Sequence, residues 1–151
     1  IESGSITPAS LTEGLSRSFY HALKGYDEAE CSERWAVDQD FIPRYSSTAS
    51  IAIEGIGEGE EPSAMTMWAN LGYPPCSHVV AVTLDSIPEE ALPTSPRGAY
   101  STLGLEASTL KEEVFPVKKG NGQRYIDLDA VRRISDEQYK ISLEEYARRR
   151  R

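Results

Sequence analysis

Cysteine and histidine are scarce in this chain of 151 residues, which has only Cys31 and Cys76, and His21 and His78. No CxxC pair or Cys/His cluster has zinc-ligand spacing, so no metal site is expected. The two cysteines read as free thiols, with one long-range disulfide as the alternative. No apolar run approaches the ~18–20 residues that span a bilayer. The longest, residues 79–84, has the length of a strand. GxSxG, HExxH and P-loop patterns are all missing, which removes the commonest hydrolase, metalloprotease and nucleotide-phosphate signatures. The opening Ile1-Glu2-Ser3-Gly4-Ser5 lacks the basic-then-apolar order of a signal peptide and has no Met. It reads as the start of a processed piece of a longer protein.

Positive charge is also short. Asp and Glu total 24 against 16 Lys and Arg, a net charge of −8. Four of the positives are the arginines at 148–151, so the rest of the chain is more acidic still. Such a body is a poor binder of nucleic acid or anionic membrane. The length is that of a single domain with a core of its own.

What is present alternates between short helical and short extended patterns. Ser10 with Glu13 fits a capping box in an N-terminal lead, residues 1–17, expected to be flexible or to hold one short helix. Residues 19–23 read as a strand closed by Lys24-Gly25. Asp27 with Glu30 caps a helix expected to run through Trp35-Ala36. Residues 45–53 read as turn and strand. The loop at 54–62 (EGIGEGEEP) is glycine-rich, but its four glutamates would repel phosphate, so it reads as solvated. Ala64, Met67, Trp68 and Leu71 have helical spacing, which predicts a helix over 63–71 ended by Gly72. Residues 78–84 predict a central strand. Residues 87–91 predict a turn or short helix, and 100–109 have no clear pattern. Strands are expected at 112–117 and 123–128 around a turn at 118–122. A last helix is expected over 143–151, with Ser142 and Glu145 as its capping box. No βαβ order is visible, which predicts an α+β fold with a mainly antiparallel sheet.

Three segments carry a further signal when taken in order. They are Tyr20-His21-Ala22 with Asp27-Glu28 after it, Ser47-Thr48-Ala49-Ser50, and Lys111-Glu112-Glu113-Val114. Their succession resembles the mono-ADP-ribosyltransferase toxins and effectors of the cholera-toxin type. The resemblance implies an ADP-ribosyltransferase-like domain over residues 18–151. It also implies NAD as substrate and a bacterial protein secreted or delivered into a host cell, acting on a host protein. Glu113 would match the catalytic glutamate, whose carboxylate stabilises an oxocarbenium-like ribose as nicotinamide leaves. Ser47 would orient it, and Thr48 and His21 would serve NAD binding. Lys111 and Glu112 would face the substrate or partner. His21 stands where the family has Arg, losing a permanently charged bidentate phosphate donor, and Lys111 stands where it has Glu or Gln. These departures imply a divergent transferase, or a degenerate domain that binds an arginine- or lysine-bearing peptide or protein instead. The acidity alone also admits an inhibitor of a basic toxin.

Overall fold

The computed structural model describes residues 6–38, 41–95, 100–118 and 124–149. Among these residues the architecture is α+β, with three small antiparallel sheets and two α-helices. A hairpin pairs β1 (Tyr20–His21) with β2 (Tyr26–Asp27). Gly25, at φ 77°, makes its tight turn, in the left-handed region that glycine enters without a Cβ penalty. A three-stranded sheet has the order β4 (Ala49–Glu54), β5 (Thr66–Leu71), β6 (Val79–Thr83). The third sheet has the order β3 (Trp35–Val37), β8 (Arg124–Asp127), β7 (Val117–Lys118). Helices α1 (Thr102–Val114) and α2 (Leu128–Arg149) complete the fold.

Strand alternation sends the two faces of β4–β5–β6 to different helices. Trp68 pairs across to Ala52 and Ala81. That face packs on Tyr146 of α2, with the Trp68 and Tyr146 rings 4.7 Å apart. Ala69 and Val80 face the other way, onto Leu103 of α1. The largest core joins the helices to the β3–β8–β7 sheet through Phe19, Phe41, Val114, Phe115, Ile126 and Ile134.

Several expectations are corrected. Residues 66–71 are strand, not helix, and only a 3-10 turn, Pro62–Ala64, precedes them. The helical spacing there was coincidental, because a strand buried on both faces shows no alternation and a short apolar run fits either period. Residues 112–114 are helix, not strand. α1 is set by an inward stripe of Leu103, Ala107, Leu110 and Val114. Ser101 caps it, accepting from the Gly104 N–H at 3.0 Å. It ends where Phe115 precedes Pro116, a residue pair that disfavours helix. Gly104, Ser108 and Thr109 dilute that stripe in the sequence. The Asp27 cap is real, accepting from the Ala29 N–H at 2.8 Å. It starts only the 3-10 turn Glu28–Glu30, and Trp35 and Ala36 belong to a strand. The last helix begins at Leu128 rather than 143, capped by Asp127, which accepts from the N–H groups of Asp129 (3.1 Å) and Ala130 (3.3 Å). Ser142 is not its cap but an inward-facing position in its second half, fully buried. The strand expected at 78–84 is present as β6, at an edge rather than the centre. The turn residues 119–122 and the last two arginines lie outside the described residues.

The described part of the N-terminal lead, residues 6–17, packs into the fold. Residues Ser10–Leu15 form a π-helical turn, closed by the Ser16 N–H donating to the Leu11 carbonyl at 3.0 Å. The helical stretch opens at Pro8 before that turn, and there Thr7 and Ser10, three residues earlier than the expected Ser10–Glu13 box, exchange side chain to backbone hydrogen bonds. Thr12, Ser16 and Arg17 are buried. Both cysteines are free thiols, Cys31 half-buried and Cys76 buried. Among the described residues no helix is long and apolar enough to cross a membrane.

Candidate functional site

Three places combine accessible or strained chemistry, and the candidate residues divide among them. The first is the C-terminal half of α1. Ser47 sits in the turn before β4, accepting from the Arg44 N–H (3.1 Å) and donating to the Ile42 carbonyl (3.3 Å). Ser47, Thr48 and Lys111 line one cavity of about 470 Å³, with Leu71, Tyr73 and Tyr100. Lys111 and Glu112 also line a second, about 340 Å³, with Tyr45, Ser108, Phe115 and Arg124. Lys111 thus stands between two cavities, and its ammonium donates to the Tyr45 carbonyl. It lies 4.0 Å from the Tyr45 ring centre, and the Arg124 guanidinium lies 3.4 Å from the same centre. Burial, with repulsion from Arg124, holds the Lys111 ammonium below its usual pKa, against opposing contributions from Cys76 and Asp38. Arg124 Nη1 is sealed from solvent without a hydrogen-bond partner, a cost of about 1–3 kcal/mol.

Glu113 and His21 are elsewhere. Glu113 forms a half-exposed ion pair with Arg133 of α2 at 2.6 Å and lines neither cavity. His21, on β1, packs edge-on against Phe41 at 6.2 Å, and its Nδ1 is buried without a partner. Ser47, Thr48 and Lys111 therefore share one cavity on α1's flank, Glu112 joins Lys111 only in the second, and Glu113 and His21 line neither.

The second place is the buried polar seam between the π-helical turn and α2. The Glu13 and Arg17 side chains are 6% and 5% exposed, and they meet at 2.9 Å. That contact is an ion pair without hydrogen-bond alignment, since both Glu13 oxygens and Arg17 Nε lack a hydrogen-bond partner. Arg17 also donates to the carbonyls of Ser77 (2.7 Å) and Ser135 (3.0 Å). Burial raises the Glu13 pKa, outweighing Arg17, Ser142, His78 and Tyr146, which pull the other way. Burial also pushes the Tyr146 phenol up to about 12. A cavity of about 510 Å³ adjoins this seam. A perturbed carboxylate beside a cavity is a common mark of a functional site. Here, however, the Glu13 oxygens are closed to solvent, so no ligand reaches them. The pair is an internal clamp joining the lead, the approach to β6, and α2.

The third place is the edge of the β4–β5–β6 sheet, and its two sides are treated differently. On the β6 side, α2 covers the strand. The Val79 N–H donates to Ser142 Oγ (3.0 Å) and the Ala81 N–H to Glu145 Oε1 (3.2 Å). On the β4 side no described element pairs. The Gly72 N–H donates to the Thr48 carbonyl at 2.8 Å. Antiparallel pairing alternates inward and outward, so Ser50, Ala52 and Glu54 direct their backbone groups at β5. Ala49, Ile51 and Ile53 direct theirs outward, where Ile51 is 55% and Ile53 68% exposed. The acidic loop follows at once, with Glu58, Glu60 and Glu61 all exposed. At the end of β4 a cavity of about 340 Å³ is lined by Glu54, Glu60 and Trp68, with Arg149 of α2 at its wall.

The outward alternation of Ile51 and Ile53 into the glutamate run was visible in the sequence as a half-exposed strand. Arg124 had no such signal, since it meets Tyr45 only through the tertiary fold. Compared with protein-family models, curated proteins and solved structures, the chain matches none of them.

Proposed function

We propose that this chain is a binding module that receives an extended, lysine- or arginine-bearing segment of a partner protein as a fourth strand on β4. The observation that carries the reading is the asymmetry of the sheet. α2 side chains satisfy the β6 edge, while β4 leaves outward N–H and C=O groups beside exposed Ile51 and Ile53. Open edges are ordinarily blunted by lysine, proline, a bulge or a covering element; Ala49–Glu54 has no lysine or proline, and its unbroken register with β5 leaves no bulge. In strand addition, main-chain hydrogen bonds supply affinity and alternate side chains supply specificity. Apolar residues of the guest would cover Ile51 and Ile53, and its basic residues would meet the Glu54–Glu61 loop. The charge of −8 favours encounter with a basic segment.

The test is titration of the labelled chain with a synthetic peptide of alternating valine and lysine, beside an alternating valine–glutamate control. The reading expects saturable changes along β4 with the basic peptide only. It expects Ile51→Lys, which adds a blocking charge at the edge, to abolish them. Equal response to both peptides, or none at β4, retires the reading.

One observation favours a second reading, divergent ADP-ribosyl transfer. Ser47, Thr48 and Lys111 share a single cavity of about 470 Å³. Incubation with NAD decides it. Release of free nicotinamide supports transfer or NAD hydrolysis, and no release with any candidate acceptor retires it.

A further inference from the structure

The α1 flank carries chemistry opposite in sign to the β4 edge. We propose that the cavity bounded by Tyr45, Ser108, Lys111, Phe115 and Arg124 is a binding site for a small oxyanion, a phosphate or a carboxylate. In a chain of net charge −8, two cations close on one tyrosine ring, at 4.0 Å and 3.4 Å from its centre. They repel each other, and that repulsion contributes to the lowered pKa of Lys111. A structural cation–π contact needs one cation; a second like charge beside it raises the electrostatic energy of the unliganded cavity. An anion in the cavity that both line lowers it.

The donors suit an oxyanion. Lys111 spends one of its three hydrogens on the Tyr45 carbonyl. Arg124 has an Nη1 with no partner, and an anion in the cavity would be the acceptor it lacks once the guanidinium turns toward it. Ser108, on the same wall, has an exposed side chain with no partner among the described residues. Charge-assisted hydrogen bonds from such groups are the strong ones. Two carboxylates are close. Asp38 is taken up by the Tyr45 N–H, at 3.0 Å and 3.2 Å, and does not line the cavity. Glu112 does line it and is exposed. It opposes an anion and so gives the proposal a signed test. The volume, about 340 Å³, holds a small ligand and not a polymer.

The experiment is an NMR titration of the whole chain with inorganic phosphate and, separately, acetate, at constant ionic strength set with chloride. The proposal expects saturable shifts at Ser108, Lys111 and Arg124 with at least one of the two, and the tighter binder identifies the anion class. Arg124→Met should weaken binding about tenfold or more, and Glu112→Gln should tighten it a few-fold, about the effect of one nearby charge. Ser108→Ala, an exposed change that leaves folding intact, should weaken it less. The proposal is overturned if chloride reproduces the shifts, or if neither anion saturates. It is equally overturned if Glu112→Gln leaves the affinity unchanged or lowers it, a result that stands even where Arg124→Met does not fold.

Discussion

Replacing Arg17 by methionine is expected to lower stability by about 3 kcal/mol, the low end of the range for breaking a buried ion pair by removing one partner. The loss can be followed group by group. The Ser77 carbonyl keeps a second donor, Asn70 Nδ2, at 2.9 Å, and the Ser135 carbonyl lies within α2, so neither acceptor is stranded. Glu13 is. Its side chain is 6% exposed, so solvent cannot take over the charge. For a domain of this size ~3 kcal/mol corresponds to a fall in Tm of roughly 10 °C. Thermal unfolding at neutral pH measures it. The deficit should shrink as the pH falls toward 4.5, because a protonated Glu13 needs no counter-charge. The double variant Arg17→Met with Glu13→Leu should regain most of the loss, since apolar replacement of both members of a buried pair is close to neutral. A double variant as unstable as the sum of its singles, or a single variant costing under about 1 kcal/mol, would refute the clamp.

Two carboxylates give pH profiles of opposite sign. Glu13 has a folded pKa raised above 4.5, so the folded state holds its proton longer and stability falls as pH rises past that value. Glu13→Gln should flatten that slope in denaturant titrations. For Asp127, burial acts upward but is outweighed by hydrogen bonds from Arg34 and the Ala130 and Asp129 N–H groups, leaving the pKa below 3.8. Its contribution is complete above 3.8 and is lost as pH falls through the folded value, and Asp127→Asn should remove that acid limb. Gly72→Ala should destabilise by about 2–4 kcal/mol in urea unfolding, because φ is 101° and the new Cβ would sit 2.5 Å from the Ala107 Cβ on α1. In thiol labelling of the native chain, Cys31 should react while Cys76 does not, since burial pushes the Cys76 thiol up to about 12. Equal rates would contradict the packing beneath α1.

The strong local signals were legible in the sequence. Asp27 as a cap, the β6 strand and the acidic loop all follow from residue chemistry within a few positions. Those written across distance were not. α2 hides its inward face because Ser142 and Glu145 sit where a helix of this fold would be apolar. They are polar because they satisfy the Val79 and Ala81 N–H groups on a strand far away in the chain. α1 hides for a related reason: Gly104 and Ser108 line a cavity at the expense of helix propensity. Of the candidate site residues, Ser47, Thr48 and Lys111 share one cavity and Lys111 and Glu112 a second, on a helix flank rather than a strand. Glu113 is directed to Arg133 by the last helical turn of α1, where the sequence predicts a strand.

The central claim is that β4 is an edge held open for a basic strand. Amide hydrogen exchange at Ala49, Ile51 and Ile53, with and without the alternating valine–lysine peptide, tests it most directly. These three N–H groups face outward in the free chain. The account predicts fast exchange at all three alone and strong protection at all three with the peptide, while Ser50 and Ala52 change little. Protection already present in the free chain, or no gain at Ile51 and Ile53 when the peptide is saturating, would contradict it.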